Sequence, residues 1–228
     1  MSPADSGPGF RHFHEQLAEL KRLLFEMSGH AEHLVDESII ALVDRDTAKA
    51  ESVINGDKIL NQLEIEIEQL AISLLALQQP MARDLRFIVG TIKVSGDLER
   101  VGDHAVNIAE SAVRLAEEGG TITATPELED MARRARSMLG DALKAFTDSD
   151  GALGREVCKA DGAVDALHNS VFRILLTHMM EDARKITPSL ELLLVSRNLE
   201  RVADLATNIG EDAVYLAEGK QIKHHFED

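Results

Sequence analysis

Residues 98–117, LERVGDHAVNIAESAVRLAE, and residues 199–218, LERVADLATNIGEDAVYLAE, align without a gap at an offset of 101, and fourteen of the twenty positions are identical. Upstream, VINGDKILN at 53–61 aligns with VCKADGAVD at 157–165 at an offset of 104. Amphipathic composition alone does not give that agreement, so the chain is one unit used twice. The period is far longer than the roughly 20–50 residues of solenoid repeats, which points to two fused bundles rather than a stacked array.

The unit itself reads as three helices. Apolar residues recur at helical spacing from Leu17, Leu20 and Leu24 through Leu34, Ile39, Leu42 and Val43. Asp44, Arg45, Asp46 and Thr47 break that pattern and supply a cap for a second helix over 46–78. Pro80 ends it, a third helix runs over 83–118, and Gly119-Gly120 is a stop. In the second unit Thr125 is placed to cap a helix with Pro126 at its first position. TDSDGA at 147–152 closes that helix, a fifth spans 153–180, Thr187-Pro188 interrupts, and a sixth runs over 189–219. Aromatic residues make up only 4% of the chain and Trp is absent, which disfavours sheets. The expected fold is all-α, with six helices in two tandem, pseudo-symmetric three-helix bundles. Their expected bounds are 10–119 and 124–219, between a disordered tail at 1–9 and a polar tail at 220–228.

Forty acidic residues oppose 24 Lys and Arg, for a net charge of −16. Nucleic-acid binding needs cations to neutralise phosphates, so that class is set aside. Cys158 is the single cysteine, which excludes an intramolecular disulfide. MSPADSGPG has neither the basic nor the apolar region of a signal peptide. No apolar run approaches the ~20 residues of a membrane span. The expectation is a cytoplasmic protein.

Part of the acidity is ordered. On the third helix, turning about 100° per residue places Glu99, Asp103, Asn107 and Glu110 within about 80° of one another, opposite the apolar face. The second copy repeats the strip with Glu200, Asp204, Asn208 and Glu211. The second helix carries Asp57, Asn61 and Glu64 on one strip, and the fifth carries Asp161 and Asp165, with His168 at the position of Glu64. Like charges at i, i+4 repel by a few tenths of a kcal/mol, ~0.2–0.5 per exposed pair. A multivalent cation converts that repulsion into binding. If the second helix packs beside the third, Asp57 and Asn61 face Glu99 and Asp103, and in the second copy Asp161 and Asp165 face Glu200 and Asp204. The expectation is two metal sites, one per unit. Asn107, Glu110, Asn208, Glu211, Glu64 and His168 are additional candidates. Oxygen donors suit Mg, Mn, Ca or oxidised iron.

The competing reading is a solvated helix face, with Arg100 and Arg201 in ordinary ion pairs beside the acids. Twofold recurrence in register weighs against it. No catalytic residue is assigned: glycine-rich phosphate loops, GxSxG and HExxH are absent. No Glu is followed three residues later by His, as a ferritin-like di-iron site requires. A metal-dependent hydrolase or oxidase on the same carboxylates is the alternative.

The doubled LERV-x-D segments, together with GDKILN at 56–61, QPMARDLR at 79–86 and THMMED at 177–182, resemble the PhoU family from Phe10 to Gly219. The resemblance implies two symmetric three-helix bundles whose paired acidic motifs bind multinuclear clusters of iron or zinc. By position those motifs fall on Glu99 with Asp103 and Glu200 with Asp204, partnered by Asp161 with Asp165 and by Asp57 with Asn61. Asn61 departs from a strict acidic pair. It further implies a non-enzymatic homodimer in the cytoplasm that negatively regulates phosphate uptake and the phosphate-starvation response. The implied partners are a phosphate ABC transporter ATPase and a sensor histidine kinase, with room for peripheral membrane association.

Overall fold

In the computed structural model the described residues are 8–118 and 122–222. Expectations for residues 1–7, for Gly119-Gly120 and for the tail from Lys223 lie outside them. The chain forms α1 (Pro8–Asp44), α2 (Thr47–Gln78), α3 (Ala82–Glu117), α4 (Pro126–Asp148), α5 (Gly151–Glu181) and α6 (Ile186–Glu218), with no strand among the described residues. Pro8 and Gly9, expected to precede the first helix, are its first residues. Proline suits that position, where its missing N–H would have had no helical partner.

The caps follow the local chemistry. Asp46 accepts from the Lys49 N–H ahead of α2, Thr125 accepts from the Leu128 N–H ahead of α4, and Asp150 accepts from the N–H groups of Ala152 and Leu153 ahead of α5. The start of α6 differs from expectation. A 3₁₀ turn at Ala183–Lys185, held by the Asp182 side chain, leads directly into Ile186. Pro188 therefore sits inside the first turn of α6 rather than ahead of it, where it costs no intrahelical hydrogen bond.

Helices α1, α2 and α3 pack on one another, as do α4, α5 and α6, and α3 lies against α6 to join the halves. Each half buries an apolar core, although Val43, expected on the apolar face of α1, is exposed. Leu20, Met27, Leu60, Ile67, Ile88, Leu98 and Ile108 fill the first, and Met131, Leu139, Phe146, Val164, Leu175, Leu199 and Ile209 the second. The core is continuous across the join, where the Phe87 and Phe146 rings stack 5.8 Å apart.

Cross-pairs show that α3 and α6 run antiparallel. Arg86 reaches the Leu216 carbonyl, Lys93 bonds Asp212 at 2.9 Å, His104 Nδ1 meets Asn198 Oδ1 at 2.9 Å, and Arg114 bonds Glu191 at 2.9 Å. The middle of this seam falls near Val101 and Val202, which hold equivalent places in the two units. The duplication is thus an approximate twofold rotation about the centre of the α3–α6 pair.

Candidate functional site

Two glycine contacts set how closely the helices approach. A Cβ on Gly102 of α3 would lie 2.5 Å from Leu60 Cδ1 and 2.7 Å from Asp57 Oδ1. A methyl there would have to displace the Leu60 and Asp57 side chains, so glycine lets α2 bring Asp57 close against α3. In the second half, a Cβ on Gly154 of α5 would lie 2.6 Å from the Gly210 carbonyl oxygen, so the α5–α6 crossing is a backbone-to-backbone approach.

These approaches bring together most of the acids singled out in the sequence. In the first half, burial raises the Asp57 carboxyl above the ordinary range, and the Asp103 charge raises it further against the opposing Asn61 amide. Glu99 is raised by burial and then by Asp103, Glu64 and Asp57. Glu64 is raised by burial and by Glu68. In the second half, burial and the charge of Asp165 raise Asp161, and Glu200 adds to this. Asp204 is pushed up to about 6 by burial, then by Asp161, Glu200 and Asp165. Five carboxylates in the first half, Glu68 among them, and four in the second are therefore linked through their charges.

One atom sharpens the first group. Asp57 Oδ2 accepts from Asn61 Nδ2 at 3.0 Å, while Asp57 Oδ1 is buried with no hydrogen-bond partner. A buried carboxylate oxygen without a donor is costly, ~1–3 kcal/mol or more, unless a cation or water meets it. The oxygen-rich donor set fits hard cations. Among the described residues, however, no three His, Cys, Asp or Glu side chains converge closely enough to hold an ion as they stand. The acids form open rows, not closed cages. Asp103 and Asp204 are exposed and share a groove of about 430 Å³ with Arg100, His104 and Arg201 near the centre of the seam.

The additional candidates divide. Asn107 donates to Asn198 Oδ1 at 3.3 Å and so turns towards α6 rather than α2, while Glu110 lies 3.5 Å from Arg114 on its own helix. A wheel centred on Glu99 cannot separate them, because α3 presents neighbouring sectors of one polar strip to two different helices. His168 Nδ1 meets Ser196 Oγ at 2.8 Å, and Ser196 in turn reaches Met131 Sδ, so the imidazole is engaged with the core side of α6. Glu211 is buried, and its charge is felt by Cys158. Asn208 lines the central groove.

The seam itself was missed by sequence reasoning. Lys93–Asp212 and Arg114–Glu191 tie the halves, and Asp36–Arg136 at 2.6 Å ties α1 to α4. Asp97 is buried and paired with Arg100 of its own helix. The signal available was slight: charged residues standing on the apolar side of two long amphipathic helices.

The PhoU domain family model matches residues 24–112 and 128–213, once in each half. The chain belongs to the PhoU family. Its relatives include the Rhizobium meliloti phosphate-specific transport system accessory protein PhoU homolog, 42% identical over 92% of this chain and 88% of that protein. The Caulobacter vibrioides protein of the same description is 41% identical, covering 93% of this chain and 92% of its own length. The crystal structure of PhoU from Pseudomonas aeruginosa superposes with a TM-score of 0.88 at 36% identity, over 91% of this chain and all of that one. The phosphate transport system regulatory protein PhoU from Streptococcus pneumoniae gives 0.85 at 30% identity, over 92% and 99%. Both PhoU segments contain their half's acidic row, from Asp57 to Glu110 in the first and from Asp161 to Glu211 in the second.

Proposed function

We propose that this chain is an accessory protein of a phosphate-specific transport system. In this reading it acts in the cytoplasm as a negative regulator of phosphate uptake and of the phosphate-starvation response, linking the transporter's ATPase to a sensor histidine kinase. The observation that carries the reading is the near end-to-end similarity to PhoU homologs that bear this description, across both halves. Among the described residues no helix is long and apolar enough to cross a membrane, which accords with a partner that meets a transporter at its surface. A homodimer is part of the same proposal.

The carboxylate rows are proposed to hold divalent or trivalent metal ions, iron, zinc, magnesium, manganese or calcium among them. Asp57, Asn61, Glu99 and Asp103 would hold them in the first half, and Asp161, Asp165, Glu200 and Asp204 in the second. A bound cation would supply the positive charge these rows lack. The residues themselves anchor it from two neighbouring helices, so occupancy fastens α2 to α3 and α5 to α6. Open rows suit an ion that keeps much of its water shell, as Mg²⁺ does with one or two carboxylates. Exposure of Asp103 and Asp204 supports regulation over catalysis, which calls for an enclosed site that excludes water.

Two experiments test this. A deletion strain grown in high phosphate should express phosphatase without repression, and the wild-type gene should restore repression; repression that survives deletion refutes the regulatory reading. Protein purified without chelator should lose bound metal on Glu99→Ala/Asp103→Ala. Equal metal content in wild type and variant refutes the metal assignment alone.

A further inference from the structure

The α3–α6 seam holds a groove of about 440 Å³ lined by Asn107, Ser111 and Arg114 from α3 and by Arg197, Asn198 and Arg201 from α6, with Leu194 at its edge. Because the halves are related by an offset of 101, each position lining the groove has a counterpart position towards the other end of the seam. Arg201 corresponds to Arg100, Asn198 to Asp97, Arg197 to Gly96, and Ser111 to Asp212.

The two ends differ in charge. At the counterpart each cation is matched, Lys93 by Asp212 at 2.9 Å and Arg100 by Asp97. In the groove Asn198 and Ser111 stand where the counterpart has the two acids, Leu194 stands where it has Lys93, and Arg114 and Arg197 stand where it has Tyr215 and Gly96. The lining charge rises from zero to plus three, in a chain of net charge −16.

Counter-charges account for only part of this. Arg114 is held by Glu191 at 2.9 Å and faces Glu110 at 3.5 Å. Arg201 lies within the field of Asp204. Arg197 has no hydrogen bond or ion pair with any described residue. Neutral donors complete the surface. The Ser111 Oγ accepts from Arg114 at 3.1 Å, which leaves its hydroxyl hydrogen to donate, and Asn107 spends one amide hydrogen on Asn198 and keeps the other.

We propose that this groove binds an anion of linked phosphoryl groups, of the pyrophosphate or short polyphosphate class, with Arg197 and Arg201 as its principal contacts. Guanidinium forks match phosphoryl oxygens bidentately, which a point cation does not. The volume is about fifteen times one water's share of the liquid, ~30 Å³, more than a single phosphate fills. No aromatic side chain lines the groove to stack a base, so the contacts go to phosphates rather than to a nucleoside. The proposal does not rest on the transport reading: the groove would bind such an anion whatever the chain regulates.

Isothermal titration of the full chain in EDTA, at matched ionic strength, tests it with pyrophosphate, tripolyphosphate, ATP, orthophosphate and sulfate. Saturable one-to-one binding is expected for pyrophosphate and tripolyphosphate, at least about tenfold tighter than for orthophosphate or sulfate, with ATP no tighter than tripolyphosphate. Arg197→Gln should weaken binding about tenfold or more. Asn198→Asp, which restores the acid found at the counterpart position, should do the same through charge rather than shape. Circular dichroism and melting temperature establish that both variants are folded, and Arg197→Gln is a substitution on an exposed helix face. The proposal is overturned by no saturable binding below about 1 mM, by sulfate binding as tightly as pyrophosphate, by ATP exceeding tripolyphosphate about tenfold, or by both folded variants binding as wild type.

Discussion

Replacing Asp204 by asparagine in metal-free protein should stabilise the fold, although the substitution removes a charge from a protein surface. The Asp204 carboxyl is pushed up to about 6 from an ordinary 3.8, chiefly by burial and by Asp161, Glu200 and Asp165. A carboxyl raised on folding binds its proton more tightly in the native state, so the native state loses ground as pH rises through that window. The cost is absent below pH 3.8, grows up to about 6, and is constant above. Two pH units would convert to about 3 kcal/mol for an enclosed group. The burial of Asp204 is only partial, its side chain remaining open to solvent, and screening reduces this to about 1 kcal/mol. For a chain of this size that is a rise in Tm of about 2–4 °C at pH 7.5 in EDTA. The same comparison near pH 4 should show almost no difference. Adding Mn²⁺ or Mg²⁺ should reverse the order, because wild type gains about 2.7 kcal/mol at a hundredfold excess over its dissociation constant and the variant gains less. Differential scanning calorimetry across that pH range reads all three comparisons. An Asp204→Asn protein that melts below wild type in EDTA at pH 7.5, or a difference that does not shrink with acid, refutes the account of mutual repulsion.

Gly154→Ala should destabilise by about 2 kcal/mol or more, because the new methyl meets the Gly210 carbonyl at 2.6 Å and backbone cannot step aside; urea unfolding followed by circular dichroism measures it. Gly102→Ala should lower stability by about 1–2 kcal/mol, the overpacking against buried Leu60 exceeding the helix-propensity gain of about 1 kcal/mol. It should also weaken metal binding in the first half alone, which titration of each half's variants would resolve. Cys158, pushed up to about 11 by burial and by Glu211, should react with a thiol reagent at pH 8 only after the protein is unfolded. A rapid native reaction would contradict that burial.

The helices were legible because each signal was local. Asp46, Thr125 and Pro126 stand where an N-cap or a first helical residue must, and apolar spacing named most of the buried face of α1, Leu17, Leu20, Leu24, Leu34 and Leu42, though not the exposed Val43. Juxtaposition of Asp57 with Asp103, and of Asp161 with Glu200, was also readable, since consecutive antiparallel helices have few ways to meet. What was hidden depends on the third neighbour. Asn107 shares a strip with Glu99 yet turns to α6, and no periodicity within α3 states how that strip is divided. Pro188 misled for a related reason: a proline ends one helix or begins the next, and only the Asp182 turn decides which. The unmatched Arg197 needed both the alignment of the units and the antiparallel seam, because its counterpart lies on the other helix.

The twofold at the centre of the α3–α6 seam has one more consequence. In a homodimer every substitution is made twice, so the two ends of a symmetric surface stay identical. Fusion of two units into one chain removes that constraint while keeping the geometry. Serine could replace an acid at position 111 without touching Asp212, and arginine could enter at 197 while 96 remained glycine. A single copy therefore has a distinguishable left and right, and can offer a symmetric assembly two matched footholds at fixed separation while keeping one end for a different ligand.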